Sequence, residues 1–286
     1  MKPPVFVVGS GRSGTTLLYD ILASHEDLAW VCNLTNRLPF LSQASVLCRS
    51  KLLQKHKAFK PAMEAIDGFK YCGIDRFNPP MDLGYVKENP AAFDLQAVTE
   101  KSRKYFQNHC DGFGRERFVS KNTANSMRIE LLNEIFPEAH YIHISRNPYS
   151  VISSLLHVKF WPELRLWWND KTPRQLEGEG RNKYEIAGTH WSNQIDQIYK
   201  AKQLVKADKF LDVAYEDLVT DAKGQIERIL NFCDLEYSAE FEKSLDLLNV
   251  NGDSLYKWKT VDKSENYSAA NPAIRDRAIE LGYELI

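Results

Sequence analysis

Apolar residues gather in four short runs, and each run is followed by a stretch with a longer period. VFVVG (5–9) is apolar up to its closing glycine, and TLLYDILASH (16–25) behind it repeats Leu17, Leu18, Ile21 and Leu22 at helical spacing. RFVSK (117–121) precedes the amphipathic MRIELLNEIF (127–136). HYIHIS (140–145) precedes Pro148 and YSVISSLLHV (149–158), where proline suits a first helical turn. FLDVAY (210–215) precedes EDLVTDAKGQIERILNFCDL (216–235). Strands alternating with helices in this way predict an α/β protein, a three-layer sandwich whose central parallel sheet is covered on both faces. The loops at the carboxyl ends of such strands are where a site forms.

No linker rich in Pro, Gly or Ser separates two cores, so residues 1–286 read as one domain with insertions near 33–110 and 160–190. Composition narrows the partners. With 43% hydrophobic residues the chain has ample material for a core, and a formal net charge of -1 supplies no global basic field. No block of basic residues stands out either, which argues against a nucleic-acid partner or a membrane-surface patch. No apolar run reaches membrane-spanning length. Met1 is followed almost at once by the first strand, leaving no room for a secretory leader, and the expected location is cytoplasmic. Five cysteines, odd in number and without a C-x-x-C pair, suggest reduced, mostly buried thiols rather than a disulfide framework or a zinc site. His140 and His143 form H-x-x-H, but on a strand residues three apart face opposite sides and do not share a metal.

The chemistry begins in VGSGRSGTTLL (8–18). In G-x-x-x-x-G-K-[ST] loops, backbone N–H groups wrap phosphate oxygens, the lysine reaches the terminal phosphates and the hydroxyl binds magnesium. Gly9, Gly14 and Thr16 fit that pattern, but Thr15 stands where lysine should be and Arg12 sits inside the loop. A triphosphatase without its lysine loses stabilisation of the transferred phosphoryl group. The residues present suit a smaller anionic load: hydroxyls and amides around one phosphate, with a guanidinium at the bond to be broken.

Arg12-Ser13-Gly14-Thr15-Thr16, placed after a strand and opening a helix, resembles the first motif of the sulfotransferases that use 3′-phosphoadenosine 5′-phosphosulfate (PAPS). A second stretch, HYIHISRNPYSVISSLL, is similar to the family's 3′-phosphate motif, with Arg146 at a strand end, Asn147-Pro148 after it and Ser154 eight residues on. An arginine at a strand end and a serine on the second helical turn can converge on one dianion. A third stretch, VAYEDLVTDAKGQIERILNFCDLEY (213–237), resembles the family's Y-E-D-L segment. The resemblance covers residues 5–25, 118–158 and 190–237, and it implies a sheet of the P-loop NTPase kind.

What the resemblance implies for the site is specific. Gly11, Arg12, Ser13, Gly14, Thr15 and Thr16 would bind the 5′-phosphate, Arg146 and Ser154 the 3′-phosphate, and Tyr215, at a strand end, would lie near adenine. Arg12 and Lys121 would stabilise the leaving phosphate as a sulfuryl group moves in line to an acceptor hydroxyl, giving 3′-phosphoadenosine 5′-phosphate (PAP), with no metal required. An acceptor hydroxyl needs a general base. The histidine that cytosolic members carry two residues after their lysine is Thr123 here, and WVCNLTNR (30–37) lacks the glutamate of tyrosyl-protein members. Glu64 in FKPAMEAIDG, similar to a P-x-x-E-A segment of bacterial carbohydrate sulfotransferases, is the candidate base. Asn33, Asn36 and Arg37 are candidates for the acceptor pocket. Trp161, Trp167 and Trp168 suit either a sugar or a hydrophobic anchor, and Lys257 and Lys259 suit either a cofactor clamp or a solvated face. The expected function is sulfuryl transfer to a carbohydrate or other small acceptor. The alternatives are a P-loop phosphotransferase and a non-catalytic nucleotide-binding protein. Nothing in the sequence fixes the oligomeric state.

Overall fold

The computed structural model describes residues 1–50, 52–61, 69–74, 93–248 and 250–286. Four strands stand where the apolar runs predict them, β1 (Val5–Val8), β3 (Arg117–Lys121), β4 (His140–Ser145) and β5 (Phe210–Ala214). A fifth, β2 (Leu28–Trp30), completes a parallel sheet in the order β2-β3-β1-β4-β5. Between and after the strands run α1 (Thr15–Ala23), α2 (Asn33–Arg37), α3 (Leu95–Phe113), α4 (Ile129–Ile135), α5 (Pro148–Leu156), α6 (Pro173–Gly178), α7 (Lys183–Lys202), α8 (Tyr215–Thr220), α9 (Ala222–Phe232) and α10 (Ala239–Leu245). The short α11 (Trp258–Val261) and α12 (Ser264–Tyr267) precede the last helix, α13 (Asn271–Glu280). Helices flank the sheet to make the three-layer sandwich. None among the described residues is long and apolar enough to cross a membrane.

β1 is central because all four of its residues are apolar and can be buried on both faces. Val5 pairs with Val119 on one side and His140 on the other, and Phe6 packs its ring against Phe69, Phe136 and Tyr141 with centroids 5.6 to 6.1 Å away. β2 was not expected. Three residues are too few to show a period, and tertiary contacts hold them: the Trp30 indole meets Phe113 edge-on at 4.9 Å, and His109 Nε2 donates to the Trp30 carbonyl at 3.0 Å.

Two other expectations need correction. The single helix over 216–235 is broken at Asp221, whose non-helical backbone ends α8 and whose carboxylate accepts from the Gly224 N–H at 3.1 Å to cap α9. Tyr215 opens α8 rather than closing β5. The 160–190 excursion is anchored from below: Trp161, Leu166 and Leu176 are buried, and Thr172 with Gln175 forms a capping box on α6. All five cysteines are buried and free. His140 and His143 have separate surroundings, the first against Phe232 and Lys209, the second against Tyr199 with Nδ1 2.8 Å from Asp212.

β1 leaves the sheet at Gly9, where a Cβ would lie 2.5 Å from the Ile144 carbonyl oxygen of β4, whereas a Cβ on Gly11 would meet nothing within 4 Å. Gly9→Ala is therefore expected to cost about 3 kcal/mol or to prevent folding, and Gly11→Ala less than about 0.5 kcal/mol, as urea unfolding midpoints will measure.

Burial lowers the pKa of His109, His140 and His190 to about 4. They are neutral in the fold and protonate in the unfolded chain near their ordinary value. The stability they contribute is present above about pH 6.5 and is lost as the pH falls toward 4. The melting temperature should drop between pH 7 and pH 5 in a dilute buffer series. A flat profile would show that water reaches these rings.

Candidate functional site

The loop between β1 and α1 is held from several directions. The Gly9 N–H donates to Ser126 Oγ at 2.9 Å and that hydroxyl returns a bond to the Gly9 carbonyl at 3.0 Å. The Ser13 N–H donates to the Ser10 carbonyl at 3.2 Å, the two serine hydroxyls lie 2.6 Å apart, and the Gly11 N–H reaches Gln194 Oε1 on α7 at 3.3 Å. Arg12 (φ 73°) and Gly14 (φ 92°) both take the left-handed conformation, which costs a side-chain-bearing residue about 1–2 kcal/mol. Backbone that alternates in this way turns successive N–H groups into one concavity, an anion nest.

α1 then starts without a side-chain cap and without an acidic residue in its first turn. Its first internal bond runs from the Leu18 N–H to the Gly14 carbonyl at 3.1 Å, so the amides of Thr15, Thr16 and Leu17 have no intrahelical acceptor. Ser13 and Thr15 are buried and Thr16 is half-buried, so three hydroxyl-bearing residues stand at the same helix start. A helix start of this kind favours negative charge.

Arg146, just beyond β4, faces the loop. Its Nη1 donates to the Arg12 carbonyl at 3.3 Å and its Nη2 to the Ser254 carbonyl at 2.8 Å and hydroxyl at 3.2 Å. The guanidinium lies 4.3 Å over the Tyr215 ring, and Tyr215 shares a 2.7 Å hydrogen bond with Ser254 Oγ. A Cβ on Gly14 would come 2.4 Å from Tyr215 Cδ2, so the ring reaches its place only because residue 14 is glycine. Asn147 accepts from the Tyr149 N–H at 3.0 Å to cap α5, and its own N–H donates to Glu216 at 2.9 Å, which fixes the start of the helix that carries Ser154.

Arg12 Nε donates to Ser154 Oγ at 2.9 Å. The two arginines and the serine placed by sequence thus meet in one cluster. The Arg12 side chain, expected over the loop at the scissile bond, is instead laid across to α5. Burial is the main cause that lowers the Arg146 pKa, and the charge of Arg12 lowers it further. Arg146 Nε is buried without a hydrogen-bond partner. Two neighbouring guanidiniums, an unused buried donor and an uncapped helix start are the donor set that a phosphate-bearing ligand completes.

Lys121 ends β3 and is buried on the other flank of the loop, where its charge acts on Asp20 of α1; burial is the larger influence on Asp20 and raises its pKa. Glu64 lies outside the described residues. Asn33 is spent on its own segment, Nδ2 donating to the Lys57 carbonyl at 2.8 Å. Lys257 and Lys259 are exposed, with Lys259 against Tyr256 and Trp258. Trp161 is an anchor, buried and edge-on to His190 at 5.3 Å, while Trp167 and Trp168 are half-buried. Three contributors carry no signal in the sequence: Ser126, Gln194 and Ser254 reach the site from 117, 183 and 108 residues away along the chain. His190, one turn before Gln194, is buried against Trp161 with Nδ1 unpartnered.

Comparison with known proteins bears on the fold and the family. Two curated relatives, both named omega-hydroxy-beta-dihydromenaquinone-9 sulfotransferase Stf3, from Mycobacterium bovis and Mycobacterium tuberculosis, are 24% identical over 250 residues, or 79% of this chain. The chain spans 61% of their length. Among solved structures, the sulfotransferase domain from the curacin biosynthetic pathway superposes with a TM-score of 0.57 at 18% identity, over 100% of this chain and 99% of that one. Sulfotransferase STF9 from Mycobacterium avium gives 0.58 at 19% identity, over 99% of this chain and 77% of its own. At these identities the likeness is one of fold. The profile described as the Sulfotransferase family matches residues 3–239, and the chain belongs to that family.

Proposed function

We propose that the protein transfers a sulfuryl group from PAPS to a hydroxyl of a carbohydrate or another small acceptor, with residues 1–286 acting as one domain. The observation that carries the reading is the convergence of Arg146, Arg12, Ser154 and Tyr215 on the uncapped start of α1. Thr15, which replaces the lysine of the triphosphatases, argues against a phosphotransferase.

Each described residue has a task that follows from its position, and Glu64 keeps the one that the resemblance implies. Gly11 to Thr16 hold the 5′-phosphate, with the Gly11 and Ser13 amides exchanging their bonds to Gln194 and Ser10 for it and the hydroxyls of Ser13, Thr15 and Thr16 joining them. Arg146 and Ser154 hold the 3′-phosphate, and Tyr215 orders Arg146 and borders the adenine. Arg12 exchanges its bond with Ser154 for the negative charge that grows on the leaving oxygen, and Lys121 adds positive charge from the opposite flank. PAPS supplies an activated sulfuryl group: one S–O bond to the 5′-phosphate breaks as another forms to the acceptor oxygen, and PAP leaves. Glu64 takes the acceptor proton. No residue in this scheme calls for a metal ion. Buried, free cysteines suit a reducing compartment, in keeping with a cytoplasmic location. The names of the mycobacterial relatives add a hydroxylated isoprenoid quinone to the sugars as acceptors for assay.

Thermal unfolding is the direct test of the cofactor site. PAP at 100 times its Kd should stabilise the protein by about 2.7 kcal/mol, and adenosine 5′-phosphate should do much less. Arg146→Ala should abolish the difference between the two nucleotides. Stabilisation by ATP with magnesium but not by PAP would return the protein to the phosphotransferases. For the base, Glu64→Gln should lower kcat by about 10²- to 10⁴-fold while leaving the PAP shift intact. Unchanged turnover would remove Glu64 from the mechanism.

A further inference from the structure

Residues 28–63, between Asp27 and Glu64, contain no acidic side chain but six basic ones, Arg37, Arg49, Lys51, Lys55, Lys57 and Lys60, in a chain whose net charge is -1. Because they are spaced rather than consecutive, they do not read as a basic run. Lys55, Lys57 and Lys60 are exposed. The neighbouring α3 carries Glu100 and Asp111, but also Lys101, Arg103 and Lys104, and does not reverse the balance.

The same segment has its amphipathicity inverted. Across Pro39–Arg49 the buried residues are Ser42, Ser45 and Cys48, whereas Phe40 is 63% exposed, Val46 48% and Leu47 40%. Leu52, just beyond, is 73% exposed. Water selects the opposite arrangement, apolar inward and small polar outward. Of the fifteen exposed large hydrophobics among the described residues, six lie between Leu38 and Leu52. The inner face is fastened: Ser45 Oγ donates to the His109 carbonyl at 3.0 Å, and Arg49 Nη2 donates to the Asp111 carbonyl at 2.9 Å, both on α3. The apolar face is therefore held outward by specific bonds.

From this we propose that residues 38–50 and 52–60 dock the protein on an anionic lipid surface, with Phe40, Val46, Leu47 and Leu52 entering the headgroup boundary and Lys55, Lys57 and Lys60 meeting lipid phosphates. Aliphatic and aromatic side chains among lysines, without interspersed acids, are the combination such interfaces select. A second copy of the chain is a poor occupant, because two patches of the same sign repel. A nucleic acid would leave the aliphatic side chains unused. The segment starts beyond α2, whose cap Cys32 lies just past the carboxyl end of β2, the edge of the sheet that also carries the 9–14 loop. Docking there would bring acceptors dissolved in or attached to a bilayer near the loop. The docking itself does not depend on the proposed reaction.

The test is co-sedimentation with vesicles of phosphatidylcholine alone and of phosphatidylcholine mixed with phosphatidylglycerol. The protein should partition at least about tenfold better onto the anionic vesicles and lose that advantage in high salt. Phe40→Ser with Leu52→Ser, and separately Lys55→Glu with Lys57→Glu and Lys60→Glu, should each release it while the melting temperature and its shift with PAP stay as in the parent. If the double serine variant unfolds, Leu52→Ser alone replaces it, since that side chain is mostly in solvent. Equal partitioning onto both vesicles, binding to RNA in place of vesicles, or a dimer in size-exclusion chromatography that only the patch variants dissociate would each overturn the proposal. Because the PAP shift is read separately, loss of docking and failure of the sulfotransferase reading cannot be confused.

Discussion

Tyr215 is the side chain on which the arrangement of the carboxyl edge depends. Its ring occupies space that any residue but glycine at position 14 would fill, it lies under the Arg146 guanidinium, and its hydroxyl holds Ser254. One ring therefore relates the loop after β1, the end of β4, the start of α8 and a segment near the carboxyl terminus. Contact between a guanidinium and an aromatic face contributes about 1–2 kcal/mol when desolvated, comparable with the strain of a left-handed residue. The cation is thereby oriented before any ligand arrives. Its hydrogen bonds go to neutral acceptors, the Arg12 and Ser254 carbonyls and the Ser254 hydroxyl, and leave its Nε without one.

Most of the sheet was legible in the sequence because its strands are buried on both faces. VFVVG, RFVSK, HYIHIS and FLDVAY stand out as apolar runs without needing a period, and each boundary falls within about a residue of the structure. β2 did not stand out, since LAW is held by Trp30 packing on Phe113 and by His109 from a helix that begins 65 residues later. Asp221 broke a helix that its neighbours' propensities would have continued, by offering its carboxylate to the next turn instead.

The site was legible where strand ends carry it. In a parallel sheet all carboxyl ends lie on one edge, so Arg12, Arg146 and Tyr215, each just beyond a strand, converge once the strands are found. Positions on helices that cross the edge are different. Gln194 lies within a twenty-residue helix, and nothing in its spacing distinguishes it from a surface glutamine. Lys121 was placed correctly at a strand end, but its neighbour Asp20 comes from the buried side of α1 and shows only in packing. Residues 39–49 give no such signal, because Ser42, Ser45 and Cys48 face inward there while Phe40, Val46 and Leu47 are exposed, the reverse of the pattern by which apolar positions mark a core.

Folding alone does not favour what has accumulated beside α1. Arg12 holds a left-handed backbone, two guanidiniums sit close enough for one to depress the other's protonation, and one buried N–H of Arg146 has no acceptor. Each costs stability, and an anion offsets two of them at once, satisfying the donor and separating the like charges with an opposite one. The Arg12 to Ser154 bond gives this a direction. It ties the loop to the helix that carries Ser154, the residue we propose for the 3′-phosphate, so a ligand that takes Ser154 also frees the Arg12 side chain. Recognition at one end of a bisphosphate ligand is then coupled through a single guanidinium to the supply of positive charge at the other, which binding at either subsite alone would not achieve.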